Sequence, residues 1–411
     1  MPRILRILNR FNLGGPTYNA AYLTKYLDND YETLLVGGAN GASEKNSQYI
    51  VNQLGIDPLI IPSMKREVSP ADDYKSYRYL KKIIHDFNPH IVHTHASKAG
   101  AIGRMAAINQ NVPVIIHTFH GHVFESYFGP LKTSMYKNIE RYLAKKTNRI
   151  IAISENQKQD LTQRFQICLE EKVSVIPLGF DLSRFRENMD EKRVAFRQKY
   201  QIKDDEIAIG IIGRLVPIKN HSMFLEALKM IKGKTSKKVR AFIVGDGETC
   251  EILKQKAIHL GIDYINGSGE YNPATLTFTS WITEMDYVNA GLDIVALTSL
   301  NEGTPVSLIE AQAAGKPIVS TNVGGIENVI LPFETALLAE KSNTSDFADK
   351  LLQLIENDDL RARLAGNGWE HVRDNYHFTR LVKDTEILYD RLLGRKVSYS
   401  IPQHGLISEA S

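Results

Sequence analysis

Apolar residues along this chain fall into two alternating patterns. Short branched runs at 4–8, 33–36, 90–93, 114–118 and 150–153 are bounded by polar or turn residues and read as buried strands. Stretches at 19–27, 75–87 and 131–145 lie between them and read as helices. Near residues 172–200 the alternation breaks: an apolar run at 173–176 ends in Pro177-Leu178-Gly179, and a charged stretch follows. It then restarts, with strands expected at 207–212, 239–244, 263–265, 294–297 and 317–320, and helices at 221–231, 250–260, 305–314 and 344–356. Strands alternating with helices imply βαβ units and parallel sheets. The expected architecture is α/β: two doubly wound, Rossmann-like domains facing a cleft, with ligands at the carboxyl ends of the strands.

The length of 411 residues fits two domains of about 180–200 residues each. Charge is uneven: residues 1–180 hold 22 Lys and Arg against 15 Asp and Glu, and the remainder holds 28 against 32. A basic first half suits an anionic partner, a phosphorylated acceptor or a membrane surface, although an uneven surface alone gives the same count. Two cysteines, Cys168 and Cys250, make neither a disulfide framework nor a four-ligand zinc site, so a reducing cytoplasm is expected. Arg6 and Arg10 interrupt the first apolar run, which does not read as a signal peptide. No stretch approaches 18 uncharged apolar residues. The Ser-containing segment 397–411 reads as a disordered tail.

Candidate chemistry gathers after the expected strands. Asn301-Glu302-Gly303-Thr304-Pro305-Val306-Ser307-Leu308-Ile309-Glu310 reads as a loop entering a helix, with Thr304 as its cap and Pro305 at its first position. On one helix an i, i+8 pair would be about 12 Å apart. A loop-to-helix geometry lets the two carboxylates bracket an extended ligand and accept hydrogen bonds from its hydroxyls. In Gly213-Arg214-Leu215-Val216-Pro217-Ile218-Lys219 a strand ends at a glycine and two cations follow, suited to diphosphate oxygens. Leu13-Gly14-Gly15-Pro16 follows the first strand and reads as a phosphate-facing loop or a plain tight turn. His117-Thr118-Phe119-His120-Gly121-His122 lacks a carboxylate at a zinc-binding offset, so packing or a polar catalytic role is expected ahead of a zinc site. His93-Thr94-His95-Ala96-Ser97-Lys98 and Arg104 end another strand and open a helix, where a cation would suit an acceptor phosphate. Val244-Gly245-Asp246-Gly247-Glu248 and Thr321-Asn322-Val323-Gly324-Gly325 close two further strands. There is no Asp-x-Asp motif at a strand end to hold a divalent metal. Each motif alone has a plain reading as a turn, a helix decoration or a solvated charge.

Together, in this order, they resemble the retaining family 4 glycosyltransferases of the GT-B fold, glycosyl transferases group 1, of the bacterial surface-polysaccharide type. The most specific parts are the Glu302-x7-Glu310 pair, Gly213-Arg214 with Lys219, and the string from Glu310 to Val319. The resemblance implies an N-terminal acceptor-binding domain over 1–190, a donor-binding domain over 191–377, and a helix over 378–395 that crosses back to the first. It implies that Arg214 and Lys219 bind the donor diphosphate and Glu310 the ribose. Glu302, Gly303 and Thr304 would hold the transferred sugar, and Gly245, Asp246 and Trp281 would lie near the base. Gly14 and Gly15 would approach the donor phosphate, and His120 would stand beside the reacting centre. His95, Lys98, Arg104 and His122 are expected on the acceptor side. No metal or other cofactor is implied; the nucleotide-diphosphate sugar is a co-substrate, with UDP-hexose or UDP-N-acetylhexosamine expected. Nucleic acid is not an expected partner.

The segment with Phe124, Tyr127, Phe128 and the basic helix 132–146 suits a membrane interface and a lipid-linked acceptor, or packs as an ordinary amphipathic helix. Two other classes remain open from the residues: a nucleotide-sugar epimerase of the same fold, and a non-catalytic nucleotide-sugar binding protein.

Overall fold

The computed structural model describes residues 1–11, 15–27, 30–38, 48–65, 67–121, 130–267 and 274–395. Gly14, His122, Phe124, Tyr127, Phe128 and the 397–411 segment lie outside the described residues. The chain divides into two compact units, residues 1–180 with 376–411, and residues 181–375.

The first unit carries strands β1 (Arg3–Arg10), β2 (Glu32–Gly38), β3 (Leu59–Ile61), β4 (Ile91–His95), β5 (Val114–Phe119), β6 (Arg149–Ala152) and β7 (Val173–Val175). They pair in parallel in the order 3-2-1-4-5-6-7. The second unit carries β8 (Glu206–Ile212), β9 (Lys238–Val244), β10 (Tyr264–Asn266), β11 (Leu276–Ser280), β12 (Ile294–Leu297), β13 (Ile318–Thr321) and β14 (Ala336–Ala339). These are also parallel, in the order 10-11-9-8-12-13-14. Strands such as β4, β5 and β12 are buried along their whole length, as expected for sheets covered on both faces.

In each sheet the chain begins centrally, winds one way, and then crosses to wind the other way. The reversal falls between β1 and β4 in the first unit and between β8 and β12 in the second. Helices leave opposite faces of the sheet on the two sides of such a point, and the loops part to open a crevice at the strand carboxyl ends. The segments after β1, β4, β8 and β12 are therefore the positions where a ligand site is expected to form.

The unit boundaries differ from the expected 190 and 377. The helix Met189–Lys199 packs on the helix Met285–Gly291, and Lys192 pairs with Asp286 at 2.9 Å, which draws residues 181–190 into the second unit. Tyr376 and His377 join the first unit because Phe180 N–H donates to Tyr376 O at 2.8 Å and Phe378 N–H donates to Phe180 O at 3.0 Å. The helix Phe378–Leu392 then packs Leu381, Val382, Leu388 and Tyr389 into a core with Ile4, Leu23, Ile91 and Ile116.

Candidate functional site

Two of the candidate motifs of the second unit, 213–219 and 301–310, sit at its reversal point. After β8 the chain passes through Gly213 and Arg214 into a single 3-10 turn, Pro217–Lys219. Asn220 then adopts a left-handed conformation, φ 47°, before the helix His221–Ile231. Asparagine tolerates that region better than most residues, which gives a physical reason for Asn at this position. The loop after β12 braces this turn. Thr298 Oγ1 donates to Asn220 O at 2.9 Å, and Leu300 N–H donates to Ile218 O at 2.8 Å. Lys219 Nζ reaches Glu302 Oε1 at 2.5 Å, and Ser299 Oγ donates to the same oxygen at 2.5 Å. Arg214 is exposed.

The helix after Glu302 runs Val306–Ala313, and Pro305, at φ −76° and ψ 95°, is its cap. The expected cap at Thr304 is thus displaced by one residue, because the Pro305 carbonyl accepts the first helical bond, from Leu308 N–H at 3.0 Å. No side chain caps this end, so its first amide groups remain available to a ligand. Glu310 lies farther along the same helix with its side chain 15% exposed, and Arg184 approaches its Oε1 at 3.7 Å. Burial pushes the Glu310 carboxyl up to about 7, with Arg184 opposing and Asp286 reinforcing that rise.

The glycines of this unit act through close backbone contact. Gly245 has φ +142°, and a Cβ there would lie 2.0 Å from Gly213 O. Gly213 N–H donates to Val244 O at 2.9 Å, and Leu215 N–H donates to Asp246 O at 2.9 Å. The loops after β8 and β9 are therefore zipped together along their backbones. Asp246 accepts from Gly247 N–H at 2.7 Å and from Ser280 Oγ at 3.2 Å, which brings Trp281, the next residue after Ser280, toward the same loop. On the other side, Gly325 N–H donates to Glu302 O at 2.9 Å, and a Cβ on Gly325 would lie 1.9 Å from Gly303 O. A Cβ on Gly303 itself would meet nothing within 4 Å. The Thr321–Gly325 turn thus holds the Glu302 loop from behind, while Gly303 borders open space.

In the first unit, Gly15 begins the helix Gly15–Tyr26 directly after β1. Alternation along β4 and β5 sorts the histidines onto two faces. His93, His95, Thr118 and His120 share one face; Thr94 and His117 share the other, where they pair at 2.9 Å. His95 Nδ1 lies 3.0 Å from His120 Nε2, and the His93 and His95 rings are 4.2 Å apart. Burial lowers the pKa of all four rings, His120 to about 3, so His120 is a neutral imidazole at neutral pH. Ala96 follows at φ 66° and ψ 160°, a conformation costly for a residue with a Cβ, and leads into the helix Ser97–Asn109.

Two expected acceptor-side cations are engaged elsewhere. Lys98 Nζ pairs with Asp73 Oδ1 at 2.5 Å and donates to Glu67 O at 2.5 Å. Arg104 is fully buried, with NH2 2.6 Å from Glu140 Oε2 and Nε donating to Gly100 O at 2.9 Å. It ties the helix Ser97–Asn109 to the helix Pro130–Lys146 and is not presented to solvent. Sequence reading also passed over Ser299, Arg184 and Tyr389, which hold the candidate carboxylates and the histidine face. The early signals for this face were the His-x-His alternation at 93–95 and the histidine run at 117–122. Among the described residues no group of three or more His, Cys, Asp or Glu is placed to hold a metal ion.

Two parallel sheets with loops gathered at their reversal points are the framework of the GT-B fold. A family model for Glycosyltransferase Family 4 matches residues 13–184, and one for Glycosyl transferases group 1 matches residues 192–371. The chain belongs to the glycosyltransferases built from this pair of domains. It is 29% identical over 339 residues to an Escherichia coli UDP-Gal:alpha-D-GlcNAc-diphosphoundecaprenol alpha-1,3-galactosyltransferase, covering 80% of this chain and 83% of the relative. It is 26% identical to the Staphylococcus aureus capsular polysaccharide biosynthesis glycosyltransferase CapM, over 81% of this chain and 85% of that one. Among solved structures, Anabaena HepE in complex with UDP superposes with a TM-score of 0.78 at 18% identity, covering 95% of this chain and 100% of that one. A glycosyltransferase from Rickettsia africae gives a TM-score of 0.77 at 20% identity, covering 96% of this chain and 99% of that one.

Proposed function

We propose that this glycosyltransferase moves a hexose or N-acetylhexosamine from a UDP-sugar to the hydroxyl of a sugar or lipid-linked acceptor in surface-polysaccharide assembly. The carrying observation is the 2.5 Å contact of Lys219 with Glu302 at the reversal point of the second unit, with Arg214 exposed in the same segment after β8 as Lys219. A cation and a carboxylate held together between the loops after β8 and β12 match the two halves of a nucleotide sugar, its diphosphate and its hydroxyls. The name of the Escherichia coli relative supports a UDP-sugar donor and a lipid-linked acceptor, that of the Staphylococcus aureus relative supports polysaccharide assembly, and the UDP complex of the Anabaena neighbour supports the base.

In this reading Arg214 and Lys219 bind the donor diphosphate, and Glu310 accepts from the ribose hydroxyls. Glu302 accepts from the sugar hydroxyls, with the backbone of Gly303 and Thr304 beside it. Gly245, Asp246 and Trp281 border the base, and Gly14 and Gly15 approach the donor phosphate. His120 serves the reacting centre as a neutral hydrogen-bonding group. The reaction retains configuration by a front-face course. The bond from the anomeric carbon to the leaving phosphate oxygen breaks, and its electron pair goes to the diphosphate. The acceptor oxygen bonds the same face of that carbon, and its proton passes to a leaving phosphate oxygen. Arg214 and Lys219 stabilise the charge that gathers on the diphosphate, the task a divalent metal performs in other transferases, so the reaction proceeds without one.

A cytoplasmic protein peripheral on an anionic membrane fits the exposed face of the helix Pro130–Lys146. Met135, Ile139 and Tyr142 form an exposed apolar stripe on it, bordered by the exposed Lys132, Lys145 and Lys146. Among the described residues no helix is long and apolar enough to cross a membrane.

The test is a panel of nucleotide sugars read by thermal shift, followed by transfer assays with and without EDTA and by assignment of the product anomer. Selective stabilisation by one UDP-sugar and EDTA-insensitive transfer with retention are expected. Epimerised sugar formed without acceptor, or a covalent glycosyl-enzyme trapped in Glu302→Gln, would overturn the reading.

A further inference from the structure

The histidine face of the first unit contains more than the one histidine the proposed reaction uses. Four groups beyond His120 are ordered in sequence from the returning helix to the end of β5. Tyr389 OH lies 2.6 Å from His93 Nδ1, and His93 Nε2 lies 2.7 Å from Thr118 Oγ1. The His93 ring lies tilted against His95, and His95 Nδ1 meets His120 Nε2 at 3.0 Å. All but His120 are buried.

Hydrogen-bond chemistry fixes part of this array. Arg6 can only donate, and its NH2 points at the Tyr389 oxygen at 3.5 Å. The Tyr389 proton is therefore free to go to His93 Nδ1. A neutral His93 that accepts at Nδ1 carries its proton on Nε2 and donates it to Thr118. With both nitrogens engaged, His93 cannot rotate, and it forms a fixed wall for His95. His95 and His120 then share one hydrogen bond between two neutral rings, so one nitrogen must donate and the other accept. The remaining nitrogens, His95 Nε2 and His120 Nδ1, are buried without a partner among the described residues. If His95 donates, His120 carries its proton on Nδ1; if His95 accepts, His120 carries it on Nε2. The state of His95 thus decides the tautomer of His120.

We propose that His95 is a positioning residue that fixes the ring orientation and tautomer of His120, with His93, held by Tyr389 and Thr118, as its backing. It acts through His120. This rests on the reading of His120 as the group at the reacting centre, and the experiment separates the two.

The test compares full-length wild type, His95→Leu, His95→Asn and Tyr389→Phe, each with ¹⁵N-labelled histidine. Asn keeps an amide near the Nδ1 position and can donate or accept there. Wild type and His95→Asn should each show a single neutral tautomer for His120, and His95→Leu should show a mixture. In transfer assays His95→Leu should lose roughly 10–100-fold in kcat with little change in donor KM, and His95→Asn should recover most of it. Tyr389→Phe should give an intermediate loss with the fold intact, which covers the case in which His95→Leu fails to fold. An unchanged His120 tautomer in both His95→Leu and Tyr389→Phe would overturn the positioning role. A changed tautomer with unchanged kcat would leave that role standing and overturn the assignment of His120 to the reaction.

Discussion

Lys219 Nζ and Glu302 Oε1 stand 2.5 Å apart, joining the loop after β8 to the loop after β12 at the point where the second sheet reverses. Each partner keeps the other's side chain in place before a ligand arrives. Lys219→Ala should therefore lower kcat/KM for the donor by about 10²–10³ and weaken UDP binding. Its effect on folding should be small, about 1 kcal/mol or less, because the pair is partly exposed. Calorimetric titration with UDP beside denaturant unfolding checks both halves of this expectation.

Glu310 gives a pH signature. Burial raises its carboxyl from 4.5 to about 7, so the folded protein favours the protonated form. The stability tied to that preference is fully present below about pH 4.5 and is lost as pH rises through about 7. Glu310→Gln should match wild type near pH 4.5 and exceed it near pH 8, by on the order of 1–3 kcal/mol. Ribose hydroxyls donate best to the ionised carboxylate, so affinity for a UDP-sugar should rise between about pH 6 and 8 in wild type and stay flat in the variant. Unfolding curves and titrations across that range read both trends.

Arg104 separates a structural role from an acceptor-binding one. Its guanidinium is buried against Glu140 at 2.6 Å. Arg104→Ala should cost about 3–5 kcal/mol by leaving Glu140 buried and unpaired. Correctly folded variant should keep its acceptor KM. A stable variant with a raised acceptor KM would return Arg104 to the acceptor side.

Gly245 and Gly303 form a contrasting pair. Gly245→Ala places a methyl 2.0 Å from Gly213 O at φ +142°, so it should lower the melting temperature and donor affinity together. Gly303→Ala meets open space in the free protein. It should leave the melting temperature unchanged and raise donor KM only, because its methyl occupies space assigned to the sugar. Melting curves and donor kinetics on the two variants separate these outcomes.

The stripe on the helix Pro130–Lys146 predicts lipid dependence. Sedimentation with phosphatidylglycerol vesicles should fall on replacing Met135, Ile139 and Tyr142 with serine, and should fall with added salt. Binding that ignores both changes would remove this helix as the membrane face.

Every strand but β3, β11 and β14 was legible in the sequence. β3 has three residues, β11 interleaves Thr with Leu and Phe, and β14 is Ala-Leu-Leu-Ala, with no β-branched residue. The candidate residues of the second unit were visible because glycines, cations and carboxylates follow strands directly in the chain. The supports were not. Ser299, Arg184 and Tyr389 are ordinary in sequence and acquire meaning only from partners far along the chain, Tyr389 meeting His93 across 296 positions. The ion pairs of Lys98 and Arg104 were hidden for the same reason: their counter-ions, Asp73 and Glu140, lie on other helices.

The returning helix has a consequence for biosynthesis. The first sheet is wound by residue 175, yet the surface formed by Ile4, Leu23 and Ile116 is covered by side chains beyond residue 380. A ribosome making this protein must pass the whole second unit before that patch can close. Until then the nascent first unit displays a greasy face to chaperones and proteases, and a chain stopped before Tyr389 lacks the hydroxyl that holds His93. The core of the first unit is thus closed only after the second unit has been made.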